Sequence, residues 1–227
     1  ITRDMRWLIT ALIVAGIFLS GVEIQEAGWF GSGGVPPITG YNVVTTYGNG
    51  FDFHSGNKMV YKDGFIYRAY SSTSQFGWPQ FIVFDVRKPE APAYTYIGRQ
   101  LFEDAPGEVA LYNNFVYVIT ASSMSAFDIS YPTAPVFYKG LLAFGDKATD
   151  IEIQGKYAYI GFDTAYSSLS FRIVDISRPL QPKIISGSQV LPTGKFVNEL
   201  AVAGKYVYLT IEAGAPNSFA VVDVSDP

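Results

Sequence analysis

Residues 153–187 hold two phrases that decide the fold: IQGKYAY at 153–159 and FRIVDISRPLQPKIISG at 171–187. In the first, alternating apolar and polar residues flank Gly155-Lys156, a two-residue turn of the kind that needs positive φ in a β-hairpin. The second reads as a strand to Asp175, a turn rich in proline, and a further strand to Gly187. Together they predict four short antiparallel strands in about 35 residues.

Both phrases recur on either side. YKDGFIY from Tyr61, LYNNFVY from Leu111 and VAGKYVY from Val202 repeat the hairpin. Their first aromatics, with Tyr157, are Phe65, Phe115, Tyr157 and Tyr206, spaced 50, 42 and 49. FIVFDVRKPEAP, SAFDISYPTAP and FAVVDVSDP repeat the second phrase, with Asp85, Asp128, Asp175 and Asp223 spaced 43, 47 and 48. Outer strands then close on Gly98, Gly140 and Gly187, and VVTTYG, ending at Gly48, has the same form. Repeats of this length with four strands are the signature of propeller blades. The fold expected is all-β: a β-propeller of four-stranded antiparallel blades over residues 41–227, with about four blades. An outer strand at the start would let Val43–Tyr47 complete the last blade. Because four such repeats make a tight ring, further blades are expected beyond Pro227 in the native chain.

Ahead of the repeats, WLITALIVAGIFLSGV at 7–22 carries no charge over 16 residues. A span needs roughly 17–25 residues. Arg3 and Arg6 precede it, Glu23 and Glu26 follow it, and no small-x-small cleavage site comes after. Residues 1–23 are therefore expected to be a single transmembrane anchor helix. The arginines place its N-terminus in the cytoplasm and the propeller on the periplasmic or extracellular side. Residues 24–40, including GSGGVPP at 31–37, form a Gly/Pro linker.

The 227 residues include 17 Phe and 16 Tyr, which favour strands, and only 16% are charged, which excludes disorder. A formal net charge of −4 without a basic block lacks the footprint of a nucleic-acid partner. With no cysteine and one histidine, His54, the chain has no thiolate chemistry and few imidazole ligands. A Ser-His-Asp triad would need His54 with Ser55 or Ser122, and no nucleophile-elbow spacing supports it. No cofactor and no metal are expected.

VVDVSDP at 221–227, RIVDISRPLQP at 172–182 and AVAGKYVYL at 201–209 resemble the LVIVD repeat family of bacterial and archaeal extracytoplasmic proteins. The resemblance runs over roughly 41–227 and implies a β-propeller, often exported or membrane-associated, with no particular activity. The first repeat departs from the pattern, with Arg87-Lys88-Pro89 and a long SSTSQFGWPQ insertion.

Candidate site residues fall into three groups. Asp85, Asp128, Asp175 and Asp223 are expected to cap turns by accepting backbone N–H bonds. Seven residues before each hairpin aromatic stand Lys58, Glu108, Asp150 and Glu199. On the innermost strands these meet at one rim of the axis, either bonding to backbone of the neighbouring blade or holding a hard cation. Phe76 and Trp78 in the first insertion, and Tyr166 in the 163–170 loop, are the aromatic contacts of a shared loop face. The function expected is a non-enzymatic, membrane-anchored interaction module. Its partners would be membrane protein subunits, of a respiratory or photosynthetic complex, and the lipid bilayer through 7–22. The alternatives are an adhesion or glycan-binding propeller, and a carboxylate-dependent hydrolase or lyase.

Overall fold

The hairpins begin at left-handed turns. Asp63 and Gly64 stand at φ 49° and 85°, Asn113 at 53°, Gly155 at 61° and Gly204 at 60°. Glycine and asparagine take this conformation at least cost, so each turn fixes the register of the strands beside it. The computed structural model describes residues 58–70, 80–97, 101–102, 104–163, 171–188, 196–212 and 218–226.

Among the described residues the strands form four antiparallel sheets, or blades. Blade 1 comprises β1 (Met59–Lys62), β2 (Phe65–Tyr70), β3 (Gln80–Asp85) and β4 (Ala93–Ile97), paired in chain order. Blade 2 comprises β5 (Pro106–Tyr112), β6 (Phe115–Thr120), β7 (Ser123–Asp128) and β8 (Val136–Ala143). Blade 3 is β9 (Ala148–Gln154), β10 (Tyr157–Phe162), β11 (Phe171–Asp175) and β12 (Lys183–Ser188). Blade 4 has three strands among the described residues, β13 (Phe196–Ala203), β14 (Tyr206–Glu212) and β15 (Ser218–Asp223).

The repeat holds atom by atom. Each repeat aspartate ends its third strand and pairs with the hairpin aromatic: Asp85 with Phe65, Asp128 with Phe115, Asp175 with Tyr157 and Asp223 with Tyr206. The next N–H donates back across the hairpin, Val86 to Gly64 O, Ile129 to Asn114 O, Ile176 to Lys156 O and Val224 to Lys205 O, at 2.7–2.9 Å. The proline turn closes on itself in blades 1 to 3, through Ala91 N to Lys88 O, Ala134 N to Tyr131 O and Gln181 N to Arg178 O.

Successive blades pack face to back. Alternation along each strand gives a blade two apolar faces, and three clusters fill the spaces between neighbours. Between blades 1 and 2, Phe81 stacks on Phe127 with ring centroids 3.8 Å apart and planes at 8°. Between blades 3 and 4 the close approach requires Gly161, where an added Cβ would lie 2.6 Å from Val197 Cγ1. The inner strands run side by side, β1 against β5, β5 against β9 and β9 against β13. Among the described residues the blades form an open, propeller-like arc and do not close into a ring. No helix among the described residues is long and apolar enough to cross a membrane. The expected anchor at 7–22, the linker and the Val43–Tyr47 strand lie outside them.

Candidate functional site

Three of the inner strands break their register at the acidic rim position. The pairing shifts between Pro106 and Val109 in β5, at Ala148–Asp150 in β9 and between Val197 and Glu199 in β13. A bulge adds a residue and re-aims side chains at the end of a strand. Glu108, Asp150 and Glu199 each sit at one.

These acids do not end up in equivalent surroundings. Asp150 is 1% exposed, and its Oδ2 accepts the Leu200 N–H of blade 4 at 2.7 Å. Its Oδ1 accepts the Ile151 N–H and the Lys58 ammonium, both at 2.7 Å. Lys58 Nζ also donates to Glu152 Oε1 at 2.8 Å and to Ile151 O at 3.3 Å. Glu108 accepts the backbone N–H of Lys58 through Oε2 at 2.5 Å. Glu199 is exposed, and its N–H donates to Thr210 Oγ1 at 3.1 Å. Among the described residues no group of three His, Cys, Asp or Glu side chains is arranged to hold a metal ion. A lysine ammonium from blade 1 instead lies between two carboxylates of blade 3, so the acids tie blade to blade.

The charges follow from that geometry. Burial works to lower the Lys58 pKa, but the carboxylates of Asp150 and Glu152 outweigh it and the net shift is upward. Burial pushes Glu108 up to about 7, with Asp150 and Glu199 adding to the shift and Lys58 opposing it. The folded value thus lies above the ordinary 4.5. Protonated Glu108 therefore stabilises the fold fully below about pH 4.5, and the contribution is lost as pH rises through about 7. Glu108→Gln is expected to be more stable than the wild type at pH 8 by on the order of 2 kcal/mol. That gain should vanish toward pH 4. Urea midpoints across pH measure it, and a gain independent of pH would contradict this origin.

The four repeat aspartates take one role. Oδ1 accepts the N–H two residues on: Arg87 to Asp85 at 3.1 Å, Ser130 to Asp128 at 2.9 Å, Ser177 to Asp175 at 2.8 Å and Ser225 to Asp223 at 2.9 Å. The Ser177 and Ser225 hydrogen bonds lower the pKa of Asp175 and Asp223. In blade 1, where Arg87 replaces the serine, its guanidinium grips both oxygens at 2.9 and 2.6 Å and holds Asp85 at about 2. The same guanidinium lies 4.8 Å over the Phe65 ring. Ser122 donates its hydroxyl to Asp104. Phe76, Trp78, Tyr166, His54 and Ser55 lie outside the described residues.

Two arrangements escaped the sequence reading. Buried Arg172 donates to Phe144 O at 2.9 Å and to Asp146, with its guanidinium 4.4 Å over Phe162, pinning the approach to β9 from blade 3 itself. The second is a tyrosine two residues past the first aromatic of every hairpin phrase, at Tyr67, Tyr117, Tyr159 and Tyr208. The Tyr117 hydroxyl donates to Pro179 O in the proline turn of the next blade at 2.9 Å. Burial raises the pKa of Tyr117 and of Tyr67, the latter to about 12, so both stay protonated at neutral pH.

The LVIVD repeat model matches residues 106–140, 145–187 and 195–227, which are blades 2, 3 and the described part of 4. No curated protein matches the chain in sequence. Among solved structures it is similar to the computationally designed Ika4 protein, with TM-score 0.51 and 11% identity over 82% of this chain and 99% of that one. A chain in an S. cerevisiae structure of Dbp5 bound to Nup159, Gle1, IP6 and ADP gives TM-score 0.48 and 9% identity over 74% of this chain and 44% of that one. At 11% identity the likeness to the designed protein is one of architecture alone.

Proposed function

The chain belongs to the LVIVD repeat family, and from there we propose that it is a non-enzymatic interaction module, an accessory extrinsic subunit of a membrane protein complex. The anchor is residues 7–22, with the propeller on the periplasmic or extracellular face. One observation supports a binding rather than a catalytic role. Asp150 joins blades 1 and 4 to its own, Glu108 accepts a backbone N–H of blade 1, and the repeat aspartates cap their own turns, so these carboxylates are engaged in holding the fold.

A domain held by a short linker meets neighbouring membrane subunits at high effective concentration, so weak loop contacts suffice to retain it. Residues 24–40 reach at most about 17 × 3.5 Å ≈ 60 Å fully extended. Phe76 and Trp78 are the loop anchors this reading requires, since buried aromatics carry most interface energy. Replacing both with Ala is expected to reduce co-purification with membrane subunits at least tenfold while leaving the melting temperature unchanged. Full retention of partners by the double variant would remove these residues from the interface.

A further inference from the structure

Two tyrosines at equivalent places in blades 1 and 2 are not equivalently bonded. Tyr117, two residues past the hairpin aromatic of blade 2, donates to the carbonyl of Pro179 in blade 3. Tyr67 stands at the same place in blade 1. Pro132 stands in blade 2 where Pro179 stands in blade 3, four residues past the repeat aspartate. Tyr67 is 1% exposed, yet among the described residues none accepts from its hydroxyl. A buried hydroxyl without a partner loses its hydration and gains no bond in return, so such groups are rare in folded proteins.

A gap separates the two groups. A cleft of about 100 Å³ lies between the hairpin of blade 1 and the proline turn of blade 2. Tyr67 and Pro132 both line it, with Lys62 and Asp63 on the blade 1 side and Asn114 and Ser130 on the blade 2 side. Three residues before its hairpin aromatic, blade 2 has Tyr112, which packs against the cluster between blades 2 and 3. Blade 1 has Lys62 there, with no ring to fill the junction.

Volume and lining decide what the cleft holds. Pockets for organic ligands usually measure about 300–1,000 Å³, so this one is too small for them. At about 30 Å³ per molecule it has room for about three waters. An apolar hole of that size would stay dry, but here an ammonium, a carboxylate, an amide and two hydroxyls belong to the lining residues. Burial, and after it the Asp63 carboxylate, push Tyr67 up to about 12, so its hydroxyl keeps its proton.

We propose that the cleft is a built water site, in which an ordered water accepts the Tyr67 hydrogen bond and passes the contact on to the proline turn of blade 2. The tyrosine latch is then direct between blades 2 and 3 and hydrated between blades 1 and 2. A bridging water is nearly as favourable in enthalpy as a direct bond, so the junction holds. The site does not depend on the accessory-subunit reading, because it involves no partner.

The test is a crystal structure of the full chain at a resolution that shows water, with Tyr67→Phe and Lys62→Tyr beside it. The wild type is expected to show a water about 2.5–3.0 Å from Tyr67 Oη and equally close to a polar atom of residues 129–132. Tyr67→Phe removes one oxygen and should lose the water from that place while the backbone keeps its course. Lys62→Tyr gives blade 1 the ring that blade 2 has and should expel the water by filling the cleft. A Tyr67 hydroxyl bonded straight to Pro132 O would overturn the proposal. So would a cleft with no ordered water or with another molecule in it, or a water that stays in place in Tyr67→Phe.

Discussion

Asp150→Ala is expected to destabilise the protein by about 3–5 kcal/mol, the cost of breaking a buried ion pair by removing one partner. The carboxylate is 1% exposed and satisfies three donors on two blades besides its own. Without it the Leu200 N–H loses its acceptor, and the Lys58 ammonium keeps only Glu152 and the Ile151 carbonyl. Asp150→Asn should cost less, because one oxygen remains to accept. Lys58→Met in the Asp150→Ala background should recover part of the loss, since it removes the charge left uncompensated. Urea denaturation of the wild type, Asp150→Ala, Lys58→Met and the double variant measures the coupling. Additive single effects would mean that Lys58 and Asp150 do not act on each other.

Phe127→Ala should cost a similar amount, about 3–5 kcal/mol. Phe127 is fully buried on the back of blade 2, stacked on Phe81 and within 6.2 Å of the Phe102 ring centroid. Its removal opens a cavity between two blades that are held on either side by backbone pairing, so little collapse can follow. The loss should appear as a lower melting temperature with the far-ultraviolet strand signal unchanged before the transition. A shift no larger than that of an exposed substitution would mean that blades 1 and 2 do not rely on this stack.

Turn chemistry and alternation made the blades legible. Asp-Gly, Asn-Asn and Gly-Lys mark hairpins because few residues tolerate positive φ, and the Asp-to-Pro phrase marks where the third strand stops. Those signals are local, and each of the four aspartates ends the third strand of its blade opposite the hairpin aromatic. The axial residues were legible only as positions. Spacing put Lys58, Glu108, Asp150 and Glu199 at one rim, but not which atoms would meet across it. The bulges in β5, β9 and β13 aim each acid differently, and Glu152 joins from two residues further along β9. Lys58 read as the exception among acids, and it is the cation that lies among them. The tyrosine series was equally readable, but what Tyr117 does depends on a carbonyl supplied by the next blade. The aromatic loops at 71–79 and 164–170 fall outside the described residues, so their part in binding rests on sequence.

The most direct test of the accessory-subunit account is to extract the tagged full chain from its native membranes in mild detergent and quantify what accompanies it by mass spectrometry. The account predicts integral membrane proteins at a fixed, near-stoichiometric ratio, removed together when residues 7–22 are deleted. Recovery of the chain without stoichiometric membrane partners, together with turnover of a substrate by the purified protein, would contradict it.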